Sequence, residues 1–121
     1  MDAALPFRPQ GTGVLLAAQP NTPPAASQPQ GPNAGDVVYL IYNPSGGADC
    51  YVGFGPTSVS AVANAIVPLI SAPVPQNTVG GGTFVAPAGT LQGITLSPSQ
   101  YFAARTQLGS ASVWIAPGYG V

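Results

Sequence analysis

The sequence predicts an all-β fold, an antiparallel β-sandwich or jelly-roll-like barrel. Three observations carry this. Short runs of β-branched and aromatic residues recur along the 121-residue chain. Gly and Pro, 16 and 15 in number, punctuate the intervals between them. No pattern of helical spacing runs long enough to build a bundle. The length suits one domain. We divide it into an extended N-terminal arm, residues 1–13, and a single β-sandwich domain, residues 14–121, with a Pro-rich loop at 19–35.

The arm, "MDAALPFRPQGTG", is held out of helix by Pro6 and Pro9. Leu5, Phe7 and Arg8 give it apolar anchors and a cation, so it reads as a free tail or as an arm that docks on a neighbour. "VLLAA", residues 14–18, is a first short strand. Residues 19–35 hold five prolines and no large apolar side chain. They are polyproline-like or irregular and cannot be a central strand, because each Pro lacks a ladder donor. So long a loop is either disordered or draped over a partner.

"VVYLIYN", residues 37–43, is the clearest strand. Val37, Tyr39 and Ile41 share one face; Val38, Leu40 and Tyr42 share the other. Pro44, Gly46 and Gly47 mark a turn, and "CYVGFG", residues 50–55, reads as an antiparallel return. Cys50, Val52 and Phe54 share a face. Gly53 and Gly55 leave the opposite side open to a close neighbour. The whole hairpin contains only Asp36 and Asp49 as charges. A hairpin in water usually keeps one face polar, so its second face needs a cover: another sheet, a loop or another subunit.

Val59, Val62, Ile66 and Ile70 have helical spacing, but Pro68 opposes helix beyond Val67. The sequence thus predicts a turn of helix at Val59 to Asn64 and a short strand at Ile66 to Leu69. Residues 71–90 read mostly as loop. Gly80, Gly81 and Gly82 lack the Lys and the strand-to-helix context of a phosphate cradle. Strands follow at Thr90 to Ser97, Gln100 to Gln107 and Ser112 to Pro117. In the second, Phe102, Ala104 and Thr106 oppose Tyr101, Ala103 and Arg105.

Charge is the unusual quantity. The chain has two Arg, three Asp and no Lys, Glu or His. An ordinary domain is roughly one quarter charged; this one is 4%. Nucleic acid is not an expected partner, since two distant arginines make no basic stripe. Membrane insertion is not expected either: the best apolar run, Ala61 to Val74, is interrupted by Asn64, Pro68 and Pro73. No basic segment precedes an apolar core, so no secretory signal is expected. Near-zero net charge removes the repulsion that keeps surfaces apart, and association becomes the expected working state.

The inventory for catalysis is thin. No His or Lys can serve as base for Cys50 or a serine. The single Cys excludes an internal disulfide and reads as a buried thiol. Asp36 and Asp49, with Asn33, Asn43 and Ser45, supply oxygens for a calcium site only if the fold gathers six or more, roughly; as turn residues they need no metal. No enzyme, cofactor or metal is expected. Arg105 pairs either within the chain or with a partner's carboxylate. Tyr51, Phe54, Trp114 and Tyr119 serve core and interface packing or, alternatively, a sugar-stacking platform.

The succession of "LPFRPQGTGVLLAA", a Pro/Ala-rich stretch, "VYLIYNPSGGADCYVGFG" and "GTLQGITLSPSQYFAARTQLGSASVWIAPGYG" resembles the small β-rich cement or decoration proteins of tailed bacteriophage capsids, from about Leu5 to Gly120. The resemblance implies a sandwich or jelly-roll-like module, dimeric or trimeric, bound in many copies to the outer capsid surface. Its implied partners are the major capsid protein and itself, and its implied role is to stiffen the shell. It carries over no catalytic residue. The interface candidates are Leu5, Phe7, Arg8, Tyr51, Phe54, Arg105, Trp114 and Tyr119. The alternative is a tail-tip or fibre module that binds a host-surface glycan.

Overall fold

A computed structural model describes residues 8–20, 25–31, 35–66 and 82–119. Two antiparallel sheets pack face to face, the sandwich of the two expected architectures, and do not close into a barrel. The larger holds β1 (Arg8–Pro9), β2 (Val14–Ala18), β8 (Ala111–Tyr119), β3 (Val37–Asn43) and β6 (Thr90–Leu96). β1 and β2 both pair with β8, which is followed across the sheet by β3 and then β6. The smaller sheet runs β5 (Thr83–Ala86), β4 (Cys50–Gly55), β7 (Tyr101–Thr106).

The period-2 pattern of each strand decides its inner face. Val37, Tyr39 and Ile41 are buried from one sheet; Cys50, Val52, Phe102 and Ala104 are buried from the other. The Tyr39 ring meets the Phe102 ring edge-on at 4.9 Å across the interlayer. Apolar side chains facing each other lose water from both sheets at once, the main favourable term in such a fold.

The expected hairpin does not form. β3 pairs with β6 and β8, whereas β4 pairs with β5 and β7. The turn at residues 44–49 carries the chain from one sheet to the other. A hairpin would set Tyr39 and Val52 on one common face and leave that face bare. The crossover sets them against each other. Asn43 holds this corner: fully buried, its Nδ2 donates to the Ala48 carbonyl at 3.0 Å and to the Ala86 carbonyl at 2.7 Å.

Helix α1 (Ser58–Asn64) forms where the spacing predicts it, with Thr57 and Ser60 closing a capping box. Its buried side is different from the expected one. Ala61 and Ala65 are buried, whereas Val59 is 76% exposed. The helix lies on Gly53 and Gly55 of β4, where a Cβ would run into Asn64, Ala65 and Ser60, so only small residues fit the contact. The glycines thus admit a close neighbour, as read, and that neighbour is the chain's own helix. Of the expected strand at Ile66 to Leu69, Ile66 is not in a strand and residues 67–69 lie outside the described residues.

Two further differences concern strands. β5 falls in the stretch read as loop; it is only four residues long and pairs with β4 from Thr83 to Ala86. β8 continues past Pro117 to Tyr119. The Pro117 carbonyl accepts from Gln10 N–H at 3.0 Å, so the side of Pro117 lacking a donor faces the N-terminal strands. There the ladder is interrupted between Pro9 and Val14, so Pro117 falls at the gap between two pairings rather than inside a continuous one.

The described part of the Pro-rich loop lies against its own chain. Ser27 exchanges both backbone bonds with Phe102 of β7, at 2.9 and 2.8 Å, and Gln30 does so with Thr12. This strap covers the side of the sandwich where β2 and β7 run together.

Candidate interaction surface

The outward positions of the larger sheet are fixed by strand register. Leu15 pairs with Trp114, Trp114 with Tyr42, and Tyr42 with Leu91. These four side chains therefore form one row straight across β2, β8, β3 and β6. They are 48%, 50%, 43% and 61% exposed, respectively. The next outward row is Ala116, Leu40 and Gly93; beyond it lie Gly118, Val38 and Thr95. No residue of these rows carries a charge. The face of a sheet that meets water ordinarily alternates to polar residues; this one does not. Large exposed apolar side chains that are contiguous, rather than scattered, mark contact sites.

The structure separates the sequence-derived candidates. Trp114 sits at the centre of the apolar row. Tyr119 is half-buried at the end of β8, opposite Arg8. Tyr51 and Arg105 lie side by side on the back of the smaller sheet, next to Val85, remote from Trp114. The Nε of Arg105 is buried without a hydrogen-bond partner. Phe54 points inward, its ring 6.0 Å from Phe84 and 6.2 Å from Phe102, and packs the core of the chain. Leu5 and Phe7 lie outside the described residues, as does the Arg8 side chain. Leu15, Tyr42 and Leu91 were not singled out from the sequence. Their signal was present as outward apolar residues, but only the register joins them.

Other sites offer little chemistry. Burial pushes the Cys50 thiol up to about 11, partly offset by backbone hydrogen bonds from Arg105 and Tyr51. Such a thiol stays protonated at neutral pH and is a poor nucleophile. Asp49 Oδ1 accepts from Ala88 N–H at 2.9 Å, clasping the turn before β6, and Asp36 is exposed. Among the described residues, no group of three or more His, Cys, Asp or Glu gathers. A hollow of about 260 Å³ beside the crossover is lined by Asn43, Pro44, Ser45, Gly46, Gly47 and Ser110–Ser112. None of these side chains titrates near neutrality. Comparison with protein-family models, with curated proteins and with solved structures returned no match to this chain.

Proposed function

We propose that this chain is a structural virion protein that docks on the outer capsid surface and cements neighbouring major capsid subunits. The row Leu15–Trp114–Tyr42–Leu91 carries the reading: an aligned, uncharged, apolar strip whose four side chains stand exposed among the described residues. The resemblance to capsid decoration proteins supplies the partner, and the role is mechanical, not catalytic. A repeating shell suits such a face, because many identical weak contacts add up through copy number.

The test is binding to purified head shells that lack the protein. Trp114 is 50% exposed, so covering the remainder removes roughly 75–125 Å² from water. At about 25 cal/mol per Å² that is about 2–3 kcal/mol per site, and Trp114→Ala should weaken docking about 30- to 140-fold. Shells refilled with wild-type protein should survive heating that ruptures bare shells. Unchanged affinity for the variant, or equal survival of filled and bare shells, overturns the proposal.

The glycan-binding alternative draws on the same exposed Trp114 beside Tyr42. Stacking platforms need polar groups at their rim for sugar hydroxyls. Among the described residues around Trp114, Leu15, Leu40, Leu91 and Ala116 offer none, Ser112 and the Tyr42 hydroxyl offer few, and the capsid reading is favoured. Retention of the isolated protein on host-surface glycans, lost in Trp114→Ala, would reverse that preference.

A further inference from the structure

The two sides of the sandwich are finished differently. On the side of β2 and β7, the strap at residues 25–31 supplies backbone partners to Thr12 and Phe102. On the other side run β5 and β6. Gln92 of β6 donates through Nε2 to the Val85 carbonyl of β5 at 2.8 Å. Beyond that, β6 has a ladder partner on its β3 side alone among the described residues. It is seven residues long, "TLQGITL", with no Pro and no charge. Strand edges in soluble proteins are normally blunted by Lys, Pro, a bulge or a cover. This one has none of them among the described residues.

We propose that β6 pairs with β6 of a second copy of this chain, antiparallel about a two-fold axis, and fuses the two large sheets into one. The sequence of the strand selects the occupant. Full overlap of Thr90–Leu96 with itself places Gly93 on the axis. Leu91 then lies opposite the partner's Thr95, Gln92 opposite the partner's Ile94, and Thr90 opposite the partner's Leu96. No pair sets like charges together, and each polar side chain has an apolar or hydroxyl-bearing partner with which to share the pleat. One operation satisfies both open edges, as closed two-fold pairing does in most small oligomers.

Continuity of the face is the second argument. A two-fold axis perpendicular to the sheet keeps both outer faces on the same side. The row Leu15–Trp114–Tyr42–Leu91 continues into the partner's Thr95, Val38 and Gly118. The row Ala116–Leu40–Gly93 continues into its own symmetry mate. The dimer presents one uncharged face of twice the width. That consequence rests on the docking-face reading above; the pairing itself does not.

The test uses the isolated full chain, with no shell present. Light scattering on a dilution series should show a dimer. Amide exchange should protect β6 more strongly at high concentration than at low. Gly93→Lys sets two ammonium groups opposite each other at the axis and should leave monomer only. The substitution has room: a Cβ at Gly93 meets only Leu40 Cδ2 at 3.6 Å and Val38 Cγ1 at 3.7 Å. Gly93→Ser, of similar geometry and no charge, should keep the dimer. Leu15→Lys, at the far edge of the face, should also keep it. Should Gly93→Lys fold poorly, Gly93→Cys with a short bismaleimide gives the answer: a cross-linked dimer in high yield. Cys50 is buried and stays silent. A monomeric wild-type chain, a dimer indifferent to Gly93→Lys, or a dimer broken by Leu15→Lys alone would each overturn the pairing. None of these results bears on whether the face binds capsid.

Discussion

The seat of α1 on β4 gives the sharpest prediction. Gly53→Ala adds one methyl group at a place where the backbone has no room for it. The new Cβ would stand 2.5 Å from the Ala61 carbonyl oxygen, and closer still to Asn64 C and Ala65 N. These are backbone atoms of the helix and its C-terminal cap, so no side-chain rotation relieves the clash. Restoring ordinary contact near 3.4 Å requires α1 to retreat by about 1 Å. That movement strains two bonds that seat the helix: Asn64 Nδ2 to the Phe54 carbonyl at 2.9 Å, and Thr83 Oγ1 to the Asn64 carbonyl at 2.6 Å. Overpacking costs about 1–3 kcal/mol in general, and loss of a hydrogen bond about 1 kcal/mol. We expect Gly53→Ala to lower stability by about 3 kcal/mol or more. For a domain of this size that is a fall in melting temperature of roughly 12 °C. Gly93→Ala is the matched control. Its Cβ meets only side-chain atoms at 3.6 Å and beyond, and it should change stability by less than about 0.5 kcal/mol. Circular dichroism melts of the two variants decide the matter. If Gly53→Ala melts within about 2 °C of wild type, the helix does not rest on β4 as described.

Two other perturbations follow from buried groups. Asn43→Ala removes the donor shared by the Ala48 and Ala86 carbonyls. It should cost about 2–3 kcal/mol in urea unfolding. Asn43→Asp should cost more, because it turns a donor into a carboxylate facing two carbonyl oxygens; a variant as stable as wild type would show that the corner is held by something else. The pH dependence should be set by Cys50. Its folded value is raised from 9.0 to about 11, so the protonated thiol is the form that folding favours. Stability from this source is complete below pH 9 and is lost as pH climbs from about 9 to 11, with a loss on the order of 2 kcal/mol. Burial acts in the same direction on Tyr39, whose hydroxyl is also raised, with backbone bonds from Gln100 and Ser99 partly offsetting the effect. Unfolding free energies of wild type and Cys50→Ala, measured from pH 7 to 11, should diverge over that window; parallel curves would contradict the assignment.

How far the sequence revealed these features depends on the range of the interaction involved. The inner residues Val37, Tyr39 and Ile41 follow from strand periodicity, which is local. The crossover after Asn43 does not. Pro44, Gly46 and Gly47 turn the chain equally well within a sheet or between sheets, and the choice is made by burial between residues far apart in sequence. α1 was readable as a helix from its spacing, yet its buried side was not. Apolar periodicity points to Val59 and Val62, whereas the glycine seat on β4 selects Ala61 and Ala65 because larger side chains would hold the helix and strand apart. β5 has four residues, too few for alternation to register. The candidate surface shows the same limit. Trp114 is conspicuous alone, but Leu15, Tyr42 and Leu91 become its neighbours only through three separate strand registers.

The placement of the few charges bears on function more than their number does. Asp49 lies at the crossover, its carboxylate accepting from the Ala88 amide. Arg105 stands behind the smaller sheet beside Tyr51. Asp36 precedes β3 rather than entering its outward row. None of these three lies in the row Leu15–Trp114–Tyr42–Leu91, where a charge would do most to keep copies apart. Coulomb forces from these three groups would therefore contribute little to docking through this face, either as steering or as repulsion. Salt has few charges to screen, and binding through it should hold nearly constant as ionic strength rises. Specificity must then come from shape, from the relief of Leu15, Trp114, Tyr42 and Leu91, and affinity from how many such faces engage at once. A single contact of this kind is weak in solution. In the proposed assembly, repeated across a lattice of identical sites and doubled by the β6 pairing, it would become a clamp, because each unit that lets go would be held near its site by the others.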